Sequence, residues 1–267
     1  MMETMVSLRS LTKLIPQSVK IHVLAFREWK NGEPELHLLS ALCDSDAISI
    51  DVGANLGVYT YFLHKYSRKV FAIEANPLYA TRIRAAFGRS VSVIQAAASN
   101  QAGRIKLWIP LEKKIEGMAT VERSNPVSDG ECASVSVDCV TIDSLDPGKI
   151  GFIKIDVEGH ELAVLEGARA LLARDAPTLL IEAEDRHRPG AVASVRRFLA
   201  DLDYEGLFLL EGKLRSMEEF DIATYQNSDL ATDDHGATAR SPYINNLVFV
   251  SRNNGAARER IASLRVA

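Results

Sequence analysis

The chain has 267 residues, of which 47% are hydrophobic and 25% charged, and this suits one substantial α/β domain with an appendage. Its formal net charge of −4 provides no overall field that would attract a polyanion, so nucleic acids are disfavoured as partners. The sequence contains no run of about 18 apolar residues, so no membrane span is expected. We therefore expect a small-molecule or glycan partner.

The cysteines argue against two kinds of stabilisation. Cys43, Cys132 and Cys139 are an odd number and include no Cys-x-x-Cys pair, which disfavours both a disulfide framework and a structural zinc site. The start of the chain lacks the unbroken apolar core and the small-residue cleavage site of a signal peptide. These features favour a reducing, cytoplasmic location.

The chain divides into three predicted parts. Residues 1–44 are expected to form a helical appendage, residues 45–252 the main domain, and residues 253–267 a frayed or helical tail. In the main domain, short β-rich apolar runs alternate with helical stretches, which is typical of βαβ units and a mostly parallel sheet.

The predicted elements follow this alternation in chain order. Seven strands are predicted, at residues 47–53, 69–75, 90–96, 151–157, 178–184, 204–210 and 245–251. Helices are predicted at residues 57–65, from Pro77 onward, at 161–173 and at 191–202. Between residues 103 and 138, two segments of period-two alternation predict an inserted antiparallel β-hairpin. The long polar segment 211–244 would let the last strand return antiparallel to its predecessor.

The first strand ends in a glycine-containing turn. Asp51, Gly53, Ala54, Asn55 and Gly57 form the sequence Asp-Val-Gly-Ala-Asn-Leu-Gly, in which glycine and asparagine tolerate a positive φ. The turn does not match the dinucleotide pattern Gly-x-Gly-x-x-Gly, and no Lys or Arg follows that could meet phosphate charge. An acidic residue before such a turn suits a cationic ligand without phosphates. S-adenosylmethionine, which carries a sulfonium and an ammonium, is such a ligand.

The second strand ends in another acidic residue. Glu74 lies 23 residues after Asp51, close to the spacing at which a carboxylate accepts both ribose hydroxyls. In open α/β sheets the ligand binds outside the carboxyl ends of the strands. We therefore assign Glu74 and its neighbour Ala75 to the cofactor site, together with the residues of the first turn.

The fourth strand carries an unusual charge pattern. Lys154, Asp156 and Glu158 alternate with apolar residues, so the three charged groups lean to one face of a strand that should be buried. Buried charge is costly unless it is paired or used. The pattern therefore indicates a functional site at the ligand end of this strand; a structural ion pair at the end of the sheet is the alternative for this segment.

Transfer of a methyl group to a hydroxyl also requires a base that removes the proton of that hydroxyl. The catalytic candidates are Glu158, His160 and Lys154, with Glu158 and His160 ranked first, and His187 is a further candidate. A divalent metal is an alternative that we do not favour, so no metal ligand is assigned. Its candidate ligands are Asp156, Glu158, Glu182, Glu184 and His187.

Several motifs together resemble the FkbM family of S-adenosylmethionine-dependent methyltransferases. They are IDVGANLGVYT at 50–60, AIEANP at 72–77, VTIDSL at 140–145, IKIDVEGHE at 153–161, the Ile181-Glu182 pair and NNLVFV at 245–250. The resemblance covers roughly residues 45–250 and implies a Rossmann-like, seven-stranded class I methyltransferase fold. It also implies O-methylation, typically of sugar hydroxyls in glycans or of natural products.

The resemblance also implies roles for particular residues. The implied cofactor residues are Asp51, Gly53, Asn55, Gly57, Glu74 and Asp156. It places the segment 117–125 near the acceptor, where family members often carry serines and this chain has Gly-Met-Ala-Thr at residues 117–120. A non-catalytic, methyltransferase-like binding module is the rival hypothesis. A nucleic-acid methyltransferase is disfavoured by the acidic balance and by the absence of an Asn-Pro-Pro-Tyr motif.

Overall fold

The computed structural model describes residues 15–112, 117–125, 130–145, 147–227 and 243–264. The strands are β1 (Ile48–Val52), β2 (Lys69–Ile73), β3 (Val91–Ile94), β4 (Ala97–Ala98), β5 (Gly103–Pro110), β6 (Cys132–Val140), β7 (Ile150–Ile155), β8 (Thr178–Glu182), β9 (Tyr204–Leu210), β10 (Lys213–Ser216) and β11 (Asn246–Ser251). The α-helices are α1 (Gln17–Asn31), α2 (Leu39–Leu42), α3 (Val58–Tyr66), α4 (Pro77–Phe87), α5 (Glu161–Glu166), α6 (Arg169–Asp175), α7 (Ala191–Ala200), α8 (Ile222–Tyr225) and α9 (Gly255–Ala262).

The main sheet has eight strands in the order β10-β9-β11-β8-β7-β1-β2-β3. The five strands from β8 to β3 run parallel, and β11 is antiparallel to both of its neighbours. This confirms the predicted α/β class with a mostly parallel sheet and an antiparallel last strand. The order of strands reverses beside β1, so the carboxyl ends of β1, β2 and β7 meet where a ligand is expected.

The sheet has one strand more than the seven predicted. The additional strand is β10, which pairs antiparallel with β9 across the two-residue turn Glu211-Gly212. Both turn residues have positive φ, 51° and 73°, which is the backbone of a tight hairpin turn. This stretch is short and rich in charge, so its sequence predicts only a polar connection.

The inserted hairpin is present. Strands β5 and β6 pair antiparallel over their whole length, and β4 joins them in a small three-stranded sheet. The hairpin lies beside the carboxyl end of the main sheet. An isolated bridge between Trp108 and Thr120 pairs the segment after β5 with β5 itself.

The helix predicted over 161–173 is divided into α5 and α6. The break falls at Gly167, where an added Cβ would lie 2.0 Å from the carbonyl oxygen of Ser99. The close approach of the two backbones therefore requires glycine, which ends α5 at that point. The helix that begins at Pro77 is confirmed, and Asn76 caps it by accepting a hydrogen bond from the N–H of Leu78.

Helices cover both faces of the sheet. One apolar core lies under α5, α6 and α7, and the other lies under α1, α2, α3, α4 and α9. The N-terminal segment contributes α1 and a 3-10 helix (Pro34–Leu38), whose Leu36 and Leu38 are buried in the second core. Residues 1–14, and the C-terminal residues 265–267, lie outside the described ranges. Within those ranges no helix has both the length and the apolarity that a bilayer span requires.

Candidate active site

The turn after β1 is built on close backbone contact. Gly53 has a φ of 78°, and an added Cβ would lie only 1.7 Å from the carbonyl oxygen of Asp156. Asn55 also has a positive φ, 50°, and Gly57, at 88°, precedes the first residue of α3. The sequence therefore folds this way because any side chain at position 53 would collide with the neighbouring strand end.

Glu74 stands beside this turn with its carboxylate held by the backbone. Its Oε2 accepts a hydrogen bond from the N–H of Asn55 at 2.7 Å, and its Oε1 accepts one from the N–H of Asn76 at 2.6 Å. Burial raises the pKa of Glu74 to about 7, although the two backbone hydrogen bonds act in the opposite direction. Each oxygen retains a second lone pair that a ligand hydroxyl could use.

Two further carboxylates lie at the ends of β1 and β7. Asp51 is buried and accepts a hydrogen bond from Thr60 Oγ1. Burial raises the pKa of Asp51 to about 6, and it raises the pKa of Asp156 to about 6 as well, with the charge of Lys154 opposing the shift in both. These carboxyls would be better satisfied by a cationic ligand.

Two adjoining cavities open around these residues. The first is lined by the predicted cofactor residues Gly53, Asn55, Glu74, Ala75 and Asp156, and by apolar side chains. The second is lined by Asp51, Ala54 and the N-terminal segment. Gly53, Asn55 and Asp156 belong to both, so the turn forms the boundary between the two cavities. Gly57 lines neither cavity, and its role is to begin α3.

Lys154 is fully buried and sits in a network of polar side chains. Its Nζ donates to Asn246 Oδ1 at 2.7 Å, lies 3.9 Å from Glu182 Oε2 and stands 4.8 Å from the centre of the Tyr59 ring. Burial alone would lower the pKa of Lys154, but the carboxylates around it, chiefly Asp156 and Glu182, raise it above its usual value. The surroundings of Lys154 therefore favour its charged form.

Glu158 and His187 meet at the ends of β7 and β8. The Nδ1 of His187 lies 3.1 Å from Glu158 Oε2. Burial and the neighbouring carboxylates Asp156 and Glu184 raise the pKa of Glu158 well above its usual value, and burial lowers the pKa of His187. Glu158 also has a positive φ of 54°, so its backbone is held in an unusual conformation at the wall of the first cavity.

His160 lines the same cavity with both ring nitrogens engaged. Its Nδ1 lies 2.5 Å from Glu122 Oε1, and its Nε2 lies 2.9 Å from Ser99 Oγ. Glu122 comes from the segment after β5 and Ser99 from the chain after β4, so His160 links the main sheet to the inserted hairpin. This arrangement leaves neither nitrogen free to take a proton from a substrate.

Residues 117–125, which we call the roof segment, lie over the first cavity. Asn55 Nδ2 donates to the carbonyl of Gly117 at 3.3 Å. Thr120 Oγ1 and Asn125 Nδ2 both donate to the carbonyl of Glu158, at 2.9 and 2.7 Å. The roof segment is thus fastened to the ends of β1 and β7, and its Ala119 and Val121 line the cavity.

The metal-ligand candidates are engaged elsewhere. Glu182 accepts from Asn245 Nδ2 at 2.8 Å, and Glu184 is bound by Arg186 and by the hydroxyl of Tyr243. In the part of the chain that the structure describes, no group of three or more His, Cys, Asp or Glu side chains could hold a metal ion.

Several polar residues of the site were missed by the sequence analysis. They are Glu33, Tyr59, Ser99 and Glu122, which meet their partners through tertiary packing. Tyr59 lies in the motif IDVGANLGVYT and Glu122 in the segment 117–125, but neither position indicated its contact. Asn246 lies in the motif NNLVFV that carried part of the family resemblance, and this was its only signal.

Comparison with known proteins decides the family. A family described as Methyltransferase FkbM domain matches residues 51–205, which is more than half of the chain. This chain belongs to the FkbM methyltransferase family. The match confirms the resemblance to the FkbM family of S-adenosylmethionine-dependent methyltransferases that the motifs indicated. Comparison with curated proteins gives no match.

Solved structures resemble the chain at low identity. The FkbM methyltransferase from Methylobacillus flagellatus KT has a TM-score of 0.50 and 18% identity, covering 90% of this chain and 57% of that one. An O-methyltransferase from Bacillus cereus, in complex with SAH, has a TM-score of 0.46 and 13% identity, covering 91% and 96%. A Streptococcus mutans protein described as a methyltransferase, also in complex with SAH, has a TM-score of 0.43 and 13% identity, covering 81% and 95%. At this identity, the likeness to the Methylobacillus structure supports the class I fold alone.

Proposed function

We propose that the chain is an S-adenosylmethionine-dependent methyltransferase that transfers a methyl group to a hydroxyl oxygen of a sugar, glycan or natural product. The observation that carries the proposal is the pair of adjoining cavities at the carboxyl ends of β1, β2 and β7. Three carboxylates, the buried Asp51 and Glu74 and the half-buried Asp156, line these cavities.

The first cavity suits the adenosine part of the cofactor. Glu74 presents two carboxylate oxygens that are already oriented by backbone N–H groups and can accept from ribose hydroxyls. Apolar side chains such as Ala97 and Leu107 offer a surface for an adenine ring. Among the described residues, the Oδ1 atom of Asn55 is buried without a hydrogen-bond partner, so it is a further acceptor that a ligand could satisfy.

The boundary of the two cavities suits the cationic centre. Asp156 and Asp51 lie on either side of Gly53, and their pKa values are raised because burial leaves their charges poorly compensated. Bound S-adenosylmethionine would supply a methyl group on a sulfonium that these carboxylates can stabilise. The absence of a side chain at Gly53 lets the turn after β1 lie directly against the carbonyl oxygen of Asp156, so the turn and the end of β7 meet at this boundary.

Glu158 is the residue that we assign as the general base. Its carboxylate is buried, and its raised pKa makes it a stronger proton acceptor than an exposed glutamate. It would take the proton that the acceptor hydroxyl loses when the methyl group leaves the sulfonium for its oxygen. His187, 3.1 Å away, is positioned to stabilise the carboxylate, whereas Lys154 and His160 are engaged in other contacts.

The acceptor class rests on the family resemblance and on the nature of the base. A carboxylate beside a histidine suits removal of a proton from a neutral hydroxyl. The roof segment, with Ala119 and Val121 toward the first cavity, would then border the space where the acceptor approaches.

The test is titration calorimetry of the purified chain with S-adenosylmethionine and S-adenosylhomocysteine. We expect micromolar binding, weakened about a hundredfold in Glu74→Ala, because two hydrogen bonds to ribose hydroxyls are lost, each about 1–1.5 kcal/mol. A screen of glycosides and hydroxylated natural products should then give turnover. Cofactor binding without any turnover would favour the non-catalytic module, and no binding to folded protein would contradict the proposal.

A further inference from the structure

Glu33 is an acidic side chain of the cofactor region that lies outside the family-matched residues 51–205. It stands between α1 and the following 3-10 helix, in the N-terminal segment. Its Oε2 accepts hydrogen bonds from the hydroxyl of Tyr59 at 2.5 Å and from Asn246 Nδ2 at 3.0 Å. These two donors, from α3 and β11, fix the carboxylate at the wall of the second cavity.

The charges around the second cavity are unequal. Its lining includes four carboxylates and two cations: Glu28, Glu33, Asp51, Asp156, Arg27 and Lys154. Arg27 is paired with Glu28 through two hydrogen bonds, at 2.7 and 3.1 Å, so these two charges cancel each other. Lys154 is left to balance Glu33, Asp51 and Asp156, and it is also shared with Glu182. The cavity therefore favours a ligand group with positive charge.

The negative charge of Glu33 affects the ionisable groups near it. The charge of Glu33 contributes to raising the pKa of Asp156 and that of Lys154. Among the described residues, the hydrogen bonds to Glu33 come from neutral donors, so they orient its charge without cancelling it, and Glu33 shares Lys154 with the other carboxylates. A cationic ligand group in the second cavity would relieve the repulsion between these carboxylates.

The two cavities divide the cofactor between them. In the proposed function, Glu74 binds the ribose in the first cavity. The first cavity meets the second at Gly53 and Asp156. The amino-acid end of the cofactor, which carries an ammonium group, must then extend into the second cavity.

We propose that Glu33 binds the α-ammonium group of the cofactor, so that the N-terminal segment completes the cofactor site. This inference rests on the proposed function. It adds a binding residue from a part of the chain that the family match does not include.

The experiment is titration of wild type and Glu33→Gln with three ligands: S-adenosylmethionine, S-adenosylhomocysteine and methylthioadenosine. The first two carry the ammonium group, and methylthioadenosine lacks the whole amino-acid end. Glutamine retains an oxygen that can accept from Tyr59 and Asn246, so the wall should remain folded. We expect the affinity for the first two ligands to fall about tenfold and that for methylthioadenosine to stay within about twofold.

Two control variants separate charge from structure. Asp46→Asn makes the same change of charge shortly after the N-terminal segment, at an exposed residue that lines neither cavity, so all three affinities should change by less than about twofold. Glu33→Asp keeps the charge and should retain most of the affinity for the ligands that carry the ammonium group. Thermal unfolding of each variant checks that the fold is intact.

The outcomes distinguish the inference from the proposed function. Equal weakening of all three ligands in Glu33→Gln would show that Glu33 only supports the fold, and unchanged affinities would show that it does not face the ligand; either result overturns the inference while cofactor binding stands. If wild type bound none of the three ligands, the proposed function would fail, and the inference with it.

Discussion

Glu74 and Glu158 stand at the ends of two strands that flank β1, yet their carboxylates are held in different ways. Glu74 receives two backbone N–H groups, from Asn55 and Asn76, within 19 residues of it in the chain. The Oε2 of Glu158 accepts no hydrogen bond from the residues that the structure describes, although His187 Nδ1 lies 3.1 Å from it, and the backbone of Glu158 is held by side chains of the roof segment.

The difference concerns how each end of the site is preorganised. Backbone donors at Glu74 are fixed as soon as the parallel strands β1, β2 and β3 form, because they belong to the turns that end those strands. The position of Glu158 depends on side chains from separate segments, which must pack correctly before the carboxylate is aligned. We therefore expect the β1–β2 end to determine folding and cofactor affinity, and the β7–β8 end to determine turnover.

The largest effect should follow from Gly53→Ala, which attacks the β1–β2 end through its backbone. The new methyl would lie 1.7 Å from the carbonyl oxygen of Asp156, so β1 and β7 would have to separate. We expect a loss of at least about 3 kcal/mol in the free energy of unfolding, measured by denaturant titration.

Gly190→Ala provides the matched control for this substitution. Gly190 has nearly the same φ, 75°, but an added Cβ would meet nothing within 4 Å. Gly190→Ala should lower the free energy of unfolding by only about 1 kcal/mol, which is the cost of holding an alanine at a positive φ. Equal losses in the two variants would mean that backbone conformation alone, and not the close contact with Asp156, requires glycine at position 53.

The second prediction exchanges the two glutamates for glutamine. Glu158→Gln should lower kcat by about a hundredfold or more, because the general base is lost, while the affinity for S-adenosylhomocysteine stays within about twofold. Glu74→Gln should instead weaken the affinity for S-adenosylhomocysteine, since the amide nitrogen of the glutamine would face a backbone N–H. Calorimetry and initial rates measure the two effects, and a large loss of cofactor affinity in Glu158→Gln would remove the distinction between the two ends.

The same distinction explains how much the sequence could predict. Gly53, Asn55 and Glu74 were predicted to lie together because their positions follow from strand ends and turn chemistry, which are local properties. The seven predicted strands were all found, because apolar runs of this length between helical stretches have few alternative structures.

The contacts that were not predicted join distant parts of the chain. Glu33 and Asn246 are 213 residues apart, and Glu122, which lies between the two strands of the inserted hairpin, is 38 residues from His160. Neither pair has a spacing that indicates contact, because the packing of α1 and of the hairpin brings the residues together. The break at Gly167 was missed for the same reason, since it depends on the approach of Ser99.

The third prediction uses Glu35, a buried carboxyl that lines neither cavity and so calibrates the effect of burial on the carboxyls of the site. Burial raises the pKa of Glu35 to about 7, above its usual 4.5. A raised pKa in the folded state means that the contribution of Glu35 to stability is fully present below about pH 4.5 and is lost as the pH rises through about 7.

Replacing Glu35 by glutamine, which mimics the protonated form, should remove this loss. We expect Glu35→Gln to be about as stable as wild type at low pH and more stable by about 2 kcal/mol above pH 8. Denaturant unfolding across the pH range measures this. A variant that follows the wild-type pH curve would mean that Glu35 ionises normally in the folded chain, and would weaken the same explanation for Glu74.

The smallest effect should come from Thr120→Val, which removes one of the two side-chain donors to the carbonyl of Glu158. The hydroxyl is buried and nearly isosteric with the methyl that replaces it, so the fold should survive. We expect kcat to fall about fivefold, with cofactor affinity unchanged, because one hydrogen bond of about 1 kcal/mol no longer holds the backbone of Glu158. Thr81→Val, which removes a hydroxyl that donates to Pro77 on the exposed side of α4, should leave kcat unchanged. If Thr120→Val instead weakened cofactor binding and left kcat intact, the roof segment would serve the β1–β2 end of the site, and the alignment of Glu158 would depend on His187 and Asn125.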